Sequence, residues 1–138
     1  QASNGKNDRT SMDLTIFTKP IPKLTIGLQG NWGKEEGISG ETDSWEGYGI
    51  QPVYQFTDKF SLAGRVEYMK NKLGSRFGNS GGEITNLTLT PGYKLNDNTT
   101  ARVEYRHDIG NNSFFEGEDG VFDEKRANQV LAEVFYTF

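Results

Sequence analysis

The chain has 138 residues, enough for one domain, and 33% of them are hydrophobic. No apolar run approaches the ~20 residues that a membrane-crossing helix needs, which excludes a helical membrane protein but not a β-barrel, where only every second residue is apolar. There is no Cys, so disulfides and thiolate metal sites are excluded; the formal net charge of −4, without a basic stripe interleaved with aromatics, argues against nucleic acid.

Period-two alternation predicts seven strands, at 11–18, 22–33, 45–56, 60–70, 84–95, 99–109 and 127–138. None carries a 3.6-residue pattern. Residues 1–10 read as an external loop tail. Three connections are short: Lys19-Pro20-Ile21, Thr57-Asp58-Lys59 and Asn96-Asp97-Asn98. The segments 34–44, 71–83 and 110–126 are long, polar and Gly-rich. Alternation of short turns with long loops is the arrangement of a transmembrane barrel, with its long loops outside the cell. A hairpin repeats as well. Gln51-Pro52-Val53-Tyr54 and Thr90-Pro91-Gly92-Tyr93 stand in corresponding places, and each leads through a short turn into Arg-Val-Glu-Tyr, at 65–68 and 102–105. Pro52 and Pro91 cannot donate to a ladder, which predicts a local bulge at each.

One face of these strands is apolar: Leu24 to Trp32, Tyr48 to Phe56, Phe60 to Tyr68, Leu87 to Leu95, Ala101 to Tyr105 and Val130 to Phe138, at every second residue. Eight-residue stripes inclined at about 40° cover roughly 20 Å, and end side chains bring this near a ~25 Å apolar band. Aromatics gather at both ends. Trp32, Tyr48, Tyr68 and Tyr105 fall toward the long loops; Tyr54, Phe56, Phe60, Tyr93, Tyr136 and Phe138 fall toward the short turns. Two such belts suit the two headgroup layers of a membrane.

The opposite face carries Gln29, Asn31, Gln51, Gln55, Arg65, Glu67, Thr88, Thr90, Arg102, Glu104, Arg106, Asp108 and Glu133. Its charges alternate in sign, so ion pairs across and along strands are available. The pattern points to an antiparallel up-and-down transmembrane β-barrel with this polar set lining a water-filled lumen. Lys23, Arg65, Arg102 and Arg106 nearly balance Asp13, Glu67, Glu104, Asp108 and Glu133, so at most a weak cation preference follows.

The ending Val130, Ala132, Val134, Tyr136, Phe138 resembles the C-terminal signal of bacterial outer-membrane proteins, which the barrel assembly machinery reads. With the C-terminus on the short-turn side, the first strand begins outside. An even-stranded barrel with both ends in the periplasm therefore lacks at least one strand here. Either the chain is the C-terminal portion of a longer barrel or a partner chain completes it.

The segment Leu87 to Phe138 resembles the β-barrel porins of the OmpL-like type. The likeness is carried by Leu87 through Asn98, then Arg102-Val103-Glu104-Tyr105-Arg106-His107-Asp108, then Phe114-Phe115 and the closing strand; Gln51 to Tyr68 is a weaker echo. The resemblance implies a large outer-membrane barrel, set in lipid and lipopolysaccharide, that acts as a diffusion channel without a cofactor.

Catalysis finds little support. His107 and Asp108 are adjacent in a strand and point to opposite faces, and Ser113 lies in a loop. Glu116 to Glu124 is dense in carboxylates but lacks the spacing of an EF-hand, so a solvated acidic loop is expected there rather than a Ca²⁺ site. Glu35, Glu36, Glu41 and Asp43 make a second acidic loop. The competing readings are a non-conducting barrel that docks a partner, and a soluble β-sandwich binding module with Trp32 and Tyr68 in a dry core.

Overall fold

The computed structural model of the chain describes residues 8–38, 40–77 and 81–138, and they contain no helix. Among the described residues the strands are β1 (Arg9–Ile21), β2 (Leu24–Ile38), β3 (Glu41–Gln55), β4 (Phe60–Asn71), β5 (Gly82–Lys94), β6 (Thr99–Gly110), β7 (Phe115–Glu116), β8 (Phe122–Glu124) and β9 (Arg126–Tyr136). Seven form one antiparallel sheet in the order β1-β2-β3-β4-β5-β6-β9, each beside its neighbour in sequence. β7 and β8 make a separate hairpin within the last long connection. The sheet is open. β1 and β9 are its edges, and as first and last strands of a seven-membered meander they run in the same direction.

The seven strands fall where alternation places them, but several run past the expected limits at the long-loop end. β2 and β3 continue with Lys34 opposite Ser44 and Glu35 opposite Asp43, and Ile38 pairs with Glu41. Most of segment 34–44 is therefore a hairpin extension and not the long loop expected from its composition. Both faces are polar here, so alternation leaves no trace in the sequence. Gly40, at φ +81°, supplies the left-handed conformation needed to close so tight a turn. Arg9 and Thr10 belong to β1, opposite Glu35 and Lys34, and not to a loop tail; residues 1–7 lie outside the described residues. At the other end β9 stops at Tyr136, short of the expected limit at Phe138.

The prolines produce no bulge. Between β3 and β4 the ladder pairs Ile50 with Val66 and resumes at Val53 with Ala63. Between β5 and β6 it pairs Leu89 with Tyr105 and resumes at Gly92 with Arg102. The register is the same on both sides of each gap. A missing N–H leaves a break in the bonding without inserting a residue, so the repeated hairpins share a gap at the same height.

The two faces differ in shelter. On the apolar face Val66, Leu89 and Val134 are 45%, 49% and 70% exposed. On the polar face Asn86, Thr88 and Asp108 are 4%, 7% and 7% exposed. A cavity of about 380 Å³ touches residues of six successive strands, from Asp13 on β1 to Arg106 on β6. One hollow can reach six strands only if the sheet curves around it, so the polar face is the concave one.

Candidate functional site

Registers carry the whole polar set to this concave face. Asp13 lies opposite Asn31, Gln29 opposite Gly49, Arg65 opposite Thr88, Glu67 opposite Asn86, and Arg102 opposite Glu133. Gln51, Gln55, Thr90, Glu104, Arg106 and Asp108 follow by alternation along β3, β5 and β6.

Several of these side chains are joined. Arg65 Nε stands 3.2 Å from Glu67 Oε2 as an ion pair, without the alignment of a hydrogen bond. Arg65 Nη2 donates to Thr88 Oγ1 at 3.3 Å, and Thr88 Oγ1 donates to Asn86 Oδ1 at 2.8 Å. The Asn86 amide donates to Asp108 Oδ1 at 2.6 Å, and Arg106 Nε reaches Asp108 Oδ2 at 2.9 Å. This is one connected path across β4, β5 and β6. Beyond it, Arg102 pairs with Glu133 at 2.5 Å, and Thr90 donates to Glu104 at 3.2 Å. Each arginine of the path and of β9's neighbour strand thus has a carboxylate partner. Such partly exposed pairs add ~0–1 kcal/mol each and chiefly fix orientation.

The aromatic residues of the two expected belts that lie within strands take the convex face. Trp32 Nε1 donates to Tyr48 OH at 2.9 Å, and the rings meet edge to face at 5.6 Å. Toward the short turns, Tyr54, Phe56 and Phe60 stack in series, with centroids 4.8 and 5.5 Å apart. Tyr68 pairs with Tyr48, and Phe60 with Tyr93. The rims do not run along the hydrogen bonds. Trp32 lies opposite Glu46 and not Tyr48, and Tyr105 lies opposite Leu89 while Tyr68 lies opposite Thr85. This stagger is what strands inclined to a common axis require. On β9, Val130, Ala132, Val134 and Tyr136 continue the convex face, with Tyr136 opposite Thr99; Thr137 N donates to Asn98 O at 2.8 Å just before Phe138. His107 is also convex, 2.8 Å from Asn128 Oδ1, and faces away from Asp108.

The element that sequence reasoning missed is a strap, residues 72–77, folded onto the concave face at its long-loop end. Asp43 holds it. Leu73 N and Ser75 N donate to its two carboxylate oxygens at 2.7 and 3.0 Å, and the Asn71 amide donates at 2.7 Å. Asn71 Oδ1 in turn accepts from Arg76 N at 2.7 Å. Asp43 and Asn71 are 0% and 1% exposed. Burial pushes the Asp43 pKa up, but the Ser75 hydroxyl beside it, the Asn71 amide and the two backbone N–H groups outweigh this and hold it at about 2. Asp43 lies beyond the apolar stripe that begins at Tyr48, so its charge is set by these donors. Trp45, on the same face, is buried beneath the strap. Its Nε1 donates to Asn31 Oδ1 at 2.8 Å, and the Arg76 guanidinium lies 3.9 Å from its ring centre. Gly33 makes room for the indole, since any Cβ there would enter the ring. Phe77 reaches the cavity and meets Phe114 of the last long connection at 4.9 Å.

Asp43 therefore does not belong to a solvated acidic loop; an extended β3 turns it inward, where it is committed to the strap. Its alternation with Trp45 and Gly47 is the one sequence signal that could have marked it. Among the described residues no cluster of three or more His, Asp or Glu side chains is arranged to hold a metal ion.

Among the described residues the arrangement sets no Ser or Thr hydroxyl in hydrogen-bond contact with His107. It offers a curved polar wall with paired charges, an apolar outer surface and a loop across one end. No curated protein and no solved structure matches the chain. A model of the family described as "Putative beta-barrel porin-2, OmpL-like" matches residues 1–138. The match spans the whole sequence, and the chain belongs to this β-barrel porin family.

Proposed function

We propose that the chain forms part of the wall of a channel in the bacterial outer membrane that passes small hydrophilic solutes by passive diffusion. The observation that carries this is the sidedness of the sheet. Its apolar, aromatic-rimmed face is convex and exposed, while its ionic face is concave and sheltered. In water such an arrangement leaves a large apolar surface uncovered; in lipid it places apolar residues against acyl chains and polar ones around water. Gln29, Asn31, Gln51, Gln55, Thr88, Thr90 and the ionic residues line the lumen in this reading. The belts sit among lipid headgroups and lipopolysaccharide, and Phe138 with the alternate residues before it serves the assembly machinery. The open edges need further strands, from a longer polypeptide or a partner, because unpaired backbone groups in lipid cost several kcal/mol each. Arg65, Arg102 and Arg106 are each paired with a carboxylate, while Asp13 accepts from the Asn31 amide and Glu104 from the Thr90 hydroxyl, with no salt bridge to either among the described residues, which supports a weak preference for cations.

The test is conductance of the complete protein in planar bilayers. Discrete ion conductance with a reversal potential slightly favouring cations is expected. Detergent-dependent solubility without conductance would leave the non-conducting, partner-docking barrel. Solubility without detergent would favour the sandwich module, although the seven-stranded sheet has no second sheet against its apolar side among the described residues.

A further inference from the structure

The cavity beneath the strap has a lining that narrows what it can hold. Asp13, Gln29, Asn31, Glu67, Asn86 and Arg106 line it beside the apolar Met69 and Ile84, Gly47 and Gly49 leave its floor without side chains, and Phe77 borders it from the strap. Its volume of about 380 Å³ falls within the range of small-molecule sites. The charges largely cancel: Arg65 lies against Glu67 and Asp108 against Arg106, while Asp13 accepts from the Asn31 amide. A small ion would meet no concentrated charge there, and a wholly apolar solute would displace water from Gln29, Glu67 and the free lone pairs and N–H groups of the other polar side chains without replacing its hydrogen bonds. Amides that both donate and accept, carboxylates that accept and a guanidinium that donates match a solute rich in hydroxyls. The Phe77 ring, held edge to face by Phe114, offers a flat apolar surface for such a solute's C–H side.

We propose that this cavity is a binding subsite for a neutral polyhydroxylated solute of mono- or disaccharide size, held at the outer mouth before it passes along the wall. The proposal rests on the channel reading for its purpose, but binding itself can be measured without conduction. The experiment uses the complete protein, with maltose as probe and triethylene glycol as a chain-like control lacking clustered hydroxyls. Calorimetry in detergent micelles reads binding, and planar-bilayer recording reads block. Saturable maltose heat is expected, with a reversible fall in ion current over the same concentrations and neither effect from the glycol. Gln29→Ala and Phe77→Ala should each weaken maltose binding by about five-fold, the scale of one hydrogen bond or contact. Asp58→Ala, in an exposed short turn, should leave it unchanged. Intact conductance with no saturable maltose heat overturns the subsite and spares the channel. Saturable binding to a protein that does not conduct upholds the subsite and overturns the channel. Equal responses to maltose and glycol also overturn the subsite, and that comparison needs no variant to fold.

Discussion

Replacing Asp43 with Asn probes how the strap is held. In the native chain the carboxylate accepts from the backbone N–H groups of Ser44, Leu73 and Ser75 and from the Asn71 amide, and its pKa falls from 3.8 to about 2. At about 1.4 kcal/mol per unit, that shift corresponds to about 2 kcal/mol of preference for the charged form in the folded strap. Asn keeps the shape but presents an NH₂ where an acceptor is needed, so strap closure should weaken by a similar amount, or about 30-fold in its opening equilibrium. Hydrogen exchange at neutral pH measures this at the amides of Leu73, Ser75 and Arg76. Exchange should quicken there while amides of central β4 stay unchanged. The same interaction fixes the pH dependence. Because the folded pKa lies below the unfolded one, the contribution is complete above about pH 4 and is lost as pH falls through about 2. Exchange at the three amides within about two-fold of the native rate in Asp43→Asn would refute the latch.

Two further outcomes follow from the sidedness of the sheet. Leu89→Arg, on the convex face near mid-stripe, should destabilise the protein in lipid vesicles by roughly 2–4 kcal/mol, measured by reversible urea unfolding, whereas Thr90→Arg on the concave face should cost far less; equal costs would contradict the assignment of faces. Phe138→Ala should lower the yield of membrane-inserted, heat-modifiable protein in cells without changing the stability of protein refolded in detergent. An unchanged cellular yield would remove the assembly role from the terminal strand.

What the sequence disclosed depended on how local the cause was. The alternation that separates Leu62, Gly64 and Val66 from Ala63, Arg65 and Glu67 acts within one strand, so the seven strands of the main sheet and their faces were legible before any contact was known, whereas the short β7–β8 hairpin was not. The repeated hairpin was legible in the recurrence of Pro-x-Tyr and Arg-Val-Glu-Tyr, although the bulge expected at Pro52 and Pro91 is absent because the register passes each proline unchanged. Where both faces are polar, as from Lys34 to Ser44, alternation gave no guidance and a hairpin extension passed for a loop. The strap was hidden more deeply. Asp43 and Ser75 are 32 positions apart, and their meeting depends on the path of a loop whose composition resembles that of any solvated connection. Even the aromatic rims needed the register to show their stagger, since Tyr105 and Leu89 face each other only once β5 and β6 are aligned.

The common direction of β1 and β9 limits how this unit can be joined into a ring. Copies placed side by side would bring β9 of one against β1 of the next with both pointing the same way, and so create a parallel seam at every junction. A cylinder in which each strand opposes its neighbours must hold an even number of them. Copies that share one orientation in the membrane therefore cannot form such a cylinder from these seven strands alone; an element that bridged the two edges would have to contribute an odd number of crossings.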